Sequence, residues 1–301
     1  MRKFFWMCSI FAALIVVTLI GCEILVRIKI VNPYKFKHER LSSNSSDVST
    51  LILGNSLTYY GLMPSELGDS SFNLAFPAQT VRYDNLLLRH YPFENLQTVI
   101  QPISYASLTD SEYENPYMWH YARKYKLYMD LDIHSDFSKY NLEISDLPQF
   151  FFALHNVFRP PVLTCDSTGF GLDLPYKKRN ADMEDLGPRQ AQANTAEDFR
   201  NVENRKKDLL AIVEYCKARK IRLVFVTPPA YHSYRDNYDT RQFGLMRHFI
   251  DSITNAQNIE YYDFLAHPAF TENDFFDPPH LNQSGAAKFS RLLRDTLAIR
   301  P

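Results

Sequence analysis

Two short segments near opposite ends of the chain hold residue types that can carry acyl-transfer chemistry. The first reads LGNSLT at 53–58 and the second reads DPPHLN at 277–282. A serine in the turn before a helix, as at Ser56, has its hydroxyl beside the free backbone N–H groups of the helix start. In the second segment Asp277 could fix the tautomer of His280, whose other ring nitrogen would take the serine proton. Together the segments predict a serine nucleophile with a histidine base.

Each segment also has a purely structural interpretation. Ser56 could act only as a helix N-cap, which is the usual role of a serine at such a junction. Asp277 stands before Pro278 and could likewise cap a helix that has proline at its first position. Either motif alone is weak evidence for catalysis. Their joint occurrence, in order and at opposite ends of the chain, favours the catalytic interpretation.

The sequence around these segments alternates between predicted strands and predicted helices. Short apolar runs predict the strands, and amphipathic runs predict the helices. This alternation predicts an α/β fold with a parallel sheet, and such sheets bind ligands beyond the carboxyl ends of their strands. Ser56 and the 277–280 segment both follow predicted strands, so they could meet there. The predicted strands are 50–53, 72–75, 98–103, 221–226 and 259–262, and the predicted helices are 83–90, 197–219, 241–256 and 283–299.

The GNSL at 54–57 and the DPPHLN at 277–282 resemble the first and last motifs of the SGNH (GDSL-type) hydrolase superfamily. The resemblance implies a flavodoxin-like three-layer α/β/α sandwich with a parallel sheet. It also implies that Ser56 is the nucleophile, His280 the base and Asp277 its partner. With its apolar N-terminus, the chain looks more like the membrane-anchored branch that resembles the D-alanyl transfer protein of teichoic acid modification.

The two middle motifs of that superfamily, which supply oxyanion donors, are altered in this chain. Ala78 stands where the second motif carries glycine, and its backbone N–H would remain a donor. The third motif supplies an asparagine side chain, but Ser104 and Tyr105 follow the strand here. A missing oxyanion donor costs about 10²–10³ in rate. The candidates for oxyanion or substrate binding are Ala78, Asn55, Ser104 and His232.

His232 is a candidate because it follows a predicted strand end, although a lone loop histidine is more often solvated surface.

Nucleic acid, metal ions and phosphate-bearing cofactors are not expected as ligands. Lys plus Arg is 33 and Asp plus Glu is 34, giving a formal net charge of −1, whereas nucleic-acid binding needs a clustered positive excess. The acidic and histidine residues at 130–134 have the wrong context for a metal site, and no glycine-rich phosphate loop occurs. We therefore expect no nucleic-acid partner, no metal and no cofactor.

The N-terminus is predicted to be a membrane element. Arg2 and Lys3 precede nineteen uncharged residues, Phe4–Cys22, which as a helix would span about 28 Å, close to the thickness of the hydrocarbon core. An uncleaved signal anchor is favoured because apolar residues resume at 24–26. A lipoprotein is the alternative because LIGC at 19–22 resembles a lipobox with Cys22 as the acylated residue. An ordinary cleaved signal peptide lacks a convincing small-x-small site.

Two signals disagree about the side of the membrane on which the main domain lies. Arg27, Lys29, Lys35 and Lys37 outnumber the two cations before the apolar run, so the positive-inside rule places the domain in the cytoplasm. The family resemblance implies an extracytoplasmic domain. We expect a single-pass protein with the domain outside, and the orientation stays open.

Three regions are predicted along the chain. Residues 1–27 form the membrane anchor or signal segment, 28–49 form a linker with a serine-rich second half, and 50–301 form the hydrolase-like domain. Within that domain, residues 110–200 interrupt the alternation and are dense in aromatic residues. They predict an insertion that acts as a lid or partner surface, with packing of an extra helical layer as the alternative.

Two functions fit these features. The first is a membrane-anchored serine esterase or O-acyltransferase of the bacterial cell envelope, acting on an acylated carbohydrate or small ester. The resemblance implies a membrane O-acyltransferase partner that supplies the acyl group. The second is a catalytically weak or inactive subunit that binds glycan or assembles an acylation complex, which the missing third-motif asparagine favours. The joint presence of Ser56, Asp277 and His280 favours the enzyme.

Overall fold

The computed structural model describes residues 1–110, 119–131, 142–160, 162–174, 182–257 and 259–298. The chain divides into two compact units. The smaller unit contains Met1–His38 and Trp119–Leu163, and the larger unit contains Glu39–Met118 and Thr164–Pro301.

A five-stranded parallel sheet forms the centre of the larger unit. Its strand order is β2-β1-β3-β4-β5, and all four neighbouring pairs are parallel. This is the order of flavodoxin-like folds, whose ligand crevice lies between β1 and β3, where the strand order reverses. The predicted α/β class is confirmed. The strands are β1 (Thr50–Ile52), β2 (Ser71–Asn73), β3 (Thr98–Pro102), β4 (Arg222–Thr227) and β5 (Glu260–Asp263).

Helices connect these strands, and short 3₁₀ turns complete the larger unit. The helices are α3 (Ser56–Tyr59), α4 (Val81–His90), α7 (Met183–Ala193), α8 (Val202–Ala218), α9 (His232–Arg235), α10 (Thr240–Gln257) and α11 (Gln283–Leu297), and the 3₁₀ turns are Ser45–Asp47, Pro64–Glu66 and Glu272–Asp274.

Both faces of the sheet are buried, as a three-layer sandwich requires. Ile52, Ile100 and Val224 lie side by side in register and pack with Phe289 and Leu293 of α11 in one core cluster. Side chains alternate between the two faces of a strand. The neighbouring strand residues point to the opposite face and are also fully buried, so helices cover that face as well: Leu51, Val99 and Phe225.

The smaller unit is helical in its described residues. Its helices are α1 (Arg2–Lys29), α5 (Trp119–Met129) and α6 (Leu147–Asn156), with a 3₁₀ turn at Glu143–Ser145. In the described part of the chain, α1 is the helix whose length and apolar composition suit a membrane span, and a signal sequence has the same properties. The buried Arg123 guanidinium of α5 pairs with Glu143 at 3.3 Å and with Asp146 at 3.7 Å.

The segment predicted to be a linker, 28–49, is largely helical. Helix α2 occupies Pro33–Asn44, and Leu41 and Val48 are buried. The serine-rich part is also tied down, because Ser45 Oγ donates a hydrogen bond to Pro92 O at 3.1 Å. Leu41 and Val48, seven positions apart, are buried apolar residues that hold the segment in place. The polar residues around them led to the prediction of a linker.

The aromatic-rich stretch at 110–200 contributes no strand in its described residues, which hold α5, α6 and α7. Its residues 111–118, 132–141, 161 and 175–181 lie outside the described part of the chain. In the chain this stretch lies between β3 and β4, which are neighbours in the sheet. The role of the stretch as a lid or partner surface stays a prediction.

Candidate active site

Ser56 lies at the carboxyl end of β1, in a tight turn that begins α3. The turn needs Gly54, whose φ is 112° and whose added Cβ would lie 2.1 Å from the Pro102 side chain. Asn55 is the N-cap of α3, and its side chain accepts a hydrogen bond from Leu57 N at 3.0 Å. Ser56 is therefore the first helical residue rather than the cap, and its hydroxyl is left for other contacts.

The structure brings Ser56 together with His280 and Asp277. His280 Nε2 lies 2.9 Å from Ser56 Oγ, and His280 Nδ1 lies 2.8 Å from Asp277 Oδ1. The three side chains thus form one hydrogen-bonded chain between residues 224 positions apart. In this arrangement a carboxylate orients an imidazole that can remove the serine proton. The geometry permits the predicted roles, and the catalysis itself stays a prediction.

A fourth side chain, Gln190 of α7, contacts the far side of this chain of hydrogen bonds. Its Nε2 donates to Asp277 Oδ2 at 3.3 Å. Asp277 Oδ1 accepts from His280 and Oδ2 accepts from Gln190, so both carboxylate oxygens are engaged. No sequence signal marked Gln190, because it lies 87 positions from Asp277 in a stretch without a motif.

The backbone amides of Ser56 and Ala78 are available as oxyanion donors. Ala78 follows β2 in a turn, with φ of 60°, the left-handed conformation that favours glycine. Neither amide hydrogen has an acceptor among the residues that the structure describes. Both residues line the same cavity as His280. The backbone at Ala78 thus has a conformation that glycine adopts more readily than alanine.

Ser104 lies beyond the carboxyl end of β3 and lines the same cavity. Its backbone N donates to Ser107 Oγ at 2.8 Å, and the two hydroxyl oxygens lie 3.1 Å apart. Because Ser107 Oγ already accepts the amide hydrogen, its own proton can point to Ser104 Oγ. The Ser104 proton is then free to point into the cavity, where it could serve as a third donor.

The cavity that contains Ser56 has a volume of about 260 Å³. One wall is aromatic, with Tyr105 and Tyr238 stacked at 4.1 Å between ring centroids. The polar rim includes Asn194, which donates to the Tyr234 hydroxyl at 2.8 Å. The predicted site residues that line it are Asn55, Ser56, Ala78, Ser104 and His280.

The prediction of His232 as a substrate-binding residue is not supported by the structure. His232 begins α9, is exposed, and places Nε2 3.1 Å from Glu184 Oε1. It lines a different cavity, beside Tyr231 and Phe275. The chain does reach the cavity at Thr227–Ala230, but α9 then turns the next residues away from it.

Two carboxyl groups near the site, the buried Asp84 and the half-buried Asp110, have raised pKa values. Burial raises the pKa of Asp110 to about 7, although the positive charge of Arg205 opposes the shift. Burial also raises the pKa of Asp84 to about 6, against hydrogen bonds from Gln101, Gln79 and Gly54. Asp110 lines the cavity, and Asp84 Oδ1 accepts from Gly54 N at 2.8 Å. Neither residue was predicted from the sequence.

No protein-family model and no curated protein matches the sequence. The fold does resemble solved structures. A GDSL-like lipase from Bacteroides thetaiotaomicron has 10% identity and a TM-score of 0.42, covering 88% of this chain and 98% of its own. A lipase/acylhydrolase from Enterococcus faecalis has 12% identity and a TM-score of 0.39, with 84% and 98% covered. A carbohydrate acetylesterase from Sinorhizobium meliloti has 11% identity and a TM-score of 0.34, with 83% and 98% covered.

Proposed function

We propose that this protein is a serine esterase or O-acyltransferase that acts through an acyl-Ser56 intermediate. The observation that supports this most directly is the hydrogen-bonded chain from Asp277 through His280 to Ser56. A serine that only caps a helix has no need of a histidine at its hydroxyl. A scaffold without catalytic activity has no need of a carboxylate, an imidazole and a hydroxyl that are hydrogen-bonded in this order. An inactive glycan-binding subunit is the alternative that the experiment below would reveal.

The reaction proceeds in two steps. Ser56 Oγ attacks the acyl carbonyl carbon while His280 Nε2 takes its proton, and the N–H groups of Ser56 and Ala78 stabilise the oxyanion. The C–O bond to the alcohol then breaks, and His280 returns the proton to the leaving oxygen. In the second step a hydroxyl attacks the acyl carbon while His280 Nε2 takes its proton. The bond between the acyl carbon and Ser56 Oγ then breaks, and His280 returns the proton to Ser56 Oγ. Water as this acceptor gives hydrolysis, and a sugar hydroxyl gives transfer.

The size and lining of the cavity favour a short acyl group on a polar carrier. A volume of about 260 Å³ lies below the range of about 300–1,000 Å³ for drug-sized ligands. An acetyl group and part of a sugar ring would fit within this volume, whereas a longer acyl chain would compete with the sugar for the same space. The stacked Tyr105 and Tyr238 present apolar surface against which the CH face of a sugar can pack.

We further propose that the enzyme works at the bacterial cell envelope, on acyl groups of carbohydrate. The apolar α1 suits a single-pass anchor, with an extracytoplasmic catalytic unit and a membrane O-acyltransferase partner as in the branch resembling the D-alanyl transfer protein. Acylation of Cys22 as a lipoprotein is the alternative form of attachment.

The test compares the full chain with Ser56→Ala in detergent micelles. The substrates are aryl esters of acetate, butyrate and octanoate, and an O-acetylated cell-wall glycan. A fluorophosphonate probe, which labels an activated serine, is applied to both proteins. We expect acetate hydrolysis and probe labelling in the wild type, a loss of at least about 10³-fold in Ser56→Ala, and little turnover of octanoate.

The outcomes separate the proposals. Labelling of Ser56 without hydrolysis of any ester would support a transferase, to be tested by adding acetyl-glycan donor and sugar acceptor together. Absence of both labelling and hydrolysis, with an unchanged circular dichroism spectrum, would overturn the enzyme in favour of the binding subunit.

A further inference from the structure

Exposed apolar side chains are concentrated in the smaller unit. In the larger unit, Leu172 and Leu210 are the exposed large hydrophobic residues among those that the structure describes. In the smaller unit, α6 and the segment after it carry several, and Phe152 and Phe158 are 68% and 86% exposed. A solvated helix would place polar residues there. We call this surface the α6 patch, and it consists of Leu147, Phe151, Phe152, Phe158 and Val162.

The end of α1 is joined by hydrogen bonds to the 3₁₀ turn that precedes α6 in the smaller unit. The buried Glu23 of α1 accepts hydrogen bonds from the backbone N of Glu143 at 2.8 Å and of Ile144 at 3.0 Å. Arg27, one turn later, pairs with the same carboxylate at 2.7 Å. A carboxylate at the N-terminus of a 3₁₀ turn both satisfies free N–H groups and complements their dipole. Residues 23–27 are therefore part of the folded unit.

A cavity of about 470 Å³ joins the end of α1 to the α6 patch. Val26 and Lys29 line it from α1, and Phe152 and Val162 line it from the patch. Val26 and Lys29 follow Cys22 by four and seven residues, which is about 6 and 10 Å along a helix. The headgroup region on each side of a bilayer is about 5–8 Å thick. The patch thus lies at interface depth if the apolar run spans the core.

We propose that the α6 patch inserts into the bilayer interface of the leaflet from which α1 emerges. The exposed cations Lys29 and Arg159 line the same cavity and would face lipid phosphates, while the phenylalanines enter the headgroup–acyl boundary. Lipid is favoured over a protein partner because residues of the α6 patch and the end of α1 line one cavity. The patch therefore lies beside the helix that is proposed to span the membrane. The proposal rests on the span proposed above, so the experiment tests that premise separately.

The experiment uses the full chain in lipid nanodiscs of phosphatidylcholine and phosphatidylglycerol. Photoreactive p-benzoylphenylalanine replaces one residue at a time: Phe152 in the patch, Ile15 in α1 as the premise control, and Leu210 of α8 as an exposed apolar control. After irradiation, mass spectrometry identifies the species attached to each position. We expect lipid adducts at 15 and 152, with at least about tenfold fewer at 210.

Each other outcome contradicts the proposal in a distinct way. Lipid at 15 but not at 152 would show that the span is real and the patch is not in the interface. A covalent dimer at 152 in place of lipid would identify a second copy as the occupant. Absence of lipid at 15 would remove the span and the patch together, without bearing on ester hydrolysis by Ser56.

Discussion

A single oxygen of Asp277 holds His280 by two hydrogen bonds. Asp277 Oδ1 accepts from His280 Nδ1 at 2.8 Å and from His280 backbone N at 2.9 Å. The ring and the backbone of the histidine are therefore positioned by the same atom. Among the residues that the structure describes, Oδ2 accepts a hydrogen bond from the Gln190 amide alone, at 3.3 Å. Oδ1 therefore positions His280, and Oδ2 contacts α7.

This division predicts that Asp277→Asn is milder than Asp277→Ala. Asparagine can keep its carbonyl oxygen at the Oδ1 position and so preserve the tautomer of His280, but it loses the negative charge and puts an NH₂ group where Oδ2 now accepts from Gln190. Alanine loses the charge and all of these hydrogen bonds. We expect kcat on an aryl acetate to fall by about 10⁴-fold for alanine and by less for asparagine. Equal losses would show that the charge, and not the position of Oδ1, decides the rate.

Gln190 offers a way to add charge next to Asp277 without touching the reacting atoms. Gln190→Glu would place a second carboxylate near Asp277 Oδ2, where Gln190 Nε2 now lies at 3.3 Å. The added negative charge would repel the Asp277 carboxylate and disturb the hydrogen bond by which it holds His280. Activity on an aryl acetate should therefore fall by at least about tenfold.

Gln190→Met is the matched control for this variant, since it removes the amide and adds no charge. It should lower activity less than Gln190→Glu does. Equal losses in the two variants would mean that Gln190 acts through packing and not through charge.

Ala78 is expected to gain stability when it is replaced by glycine. Its φ of 60° costs an alanine roughly 1–2 kcal/mol relative to glycine, and part of this is offset because glycine makes the unfolded chain more flexible. We expect Ala78→Gly to raise the free energy of unfolding by up to about 1 kcal/mol. Activity should persist because the N–H donor is retained. Urea denaturation and aryl acetate hydrolysis measure the two quantities.

Lys220 provides the matched control for strain. It has φ of 57° at the exposed end of α8, far along the chain from any site residue. Lys220→Gly should give a similar gain in stability and no change in kcat. Destabilisation by both glycines would refute the strain explanation, and a loss of activity confined to Ala78→Gly would show that the loop must be stiff to act as an oxyanion donor.

The strands and the proximity of Ser56, Asp277 and His280 could be predicted from the sequence because the signals for them are local. Strand β3, for example, was expected at 98–103 and is observed at Thr98–Pro102, since buried parallel strands appear as short apolar runs. The motif that contains Ser56 directly follows β1, and the motif that contains His280 directly precedes α11. In a parallel sheet the carboxyl ends of the strands share one edge, which brings such motifs together.

The remaining site residues could not be predicted because their roles depend on distant contacts. Gln190 acquires its role only by packing beside Asp277, and Asp110 only by burial beside the cavity. The prediction that His232 binds substrate went astray for a different reason. Its position after a strand suggested that it would lie at the site, but the single turn of α9 places its ring beside Glu184. Sequence position thus predicts which edge of the sheet a residue is near, and helix geometry decides which way it points.

The buried Asp84 predicts a pH dependence of stability. Burial raises its pKa from 3.8 to about 6, so between pH 4 and 6 the folded protein holds a proton that the unfolded chain releases. The free energy of unfolding should therefore fall as pH rises through this window, by up to about 3 kcal/mol for a shift of about two units. Asp84→Asn cannot ionise and should remove this part of the decline.

Asparagine suits the site chemically as well. Its carbonyl can accept from Gly54 N as Oδ1 does now at 2.8 Å. Its NH₂ would take the place of Oδ2, which now accepts from Gln101 Nε2 at 2.8 Å. A flip of the Gln101 amide would present Oε1, a buried atom without a partner in the described structure, as the acceptor for this NH₂. The measurement is urea denaturation from pH 4 to 7.5 for wild type, Asp84→Asn, and the exposed control Asp69→Asn. The difference between wild type and Asp84→Asn should widen toward neutral pH in favour of asparagine, whereas Asp69→Asn should track the wild type. A constant difference across the range would mean that Asp84 ionises in the folded protein as readily as in the unfolded chain.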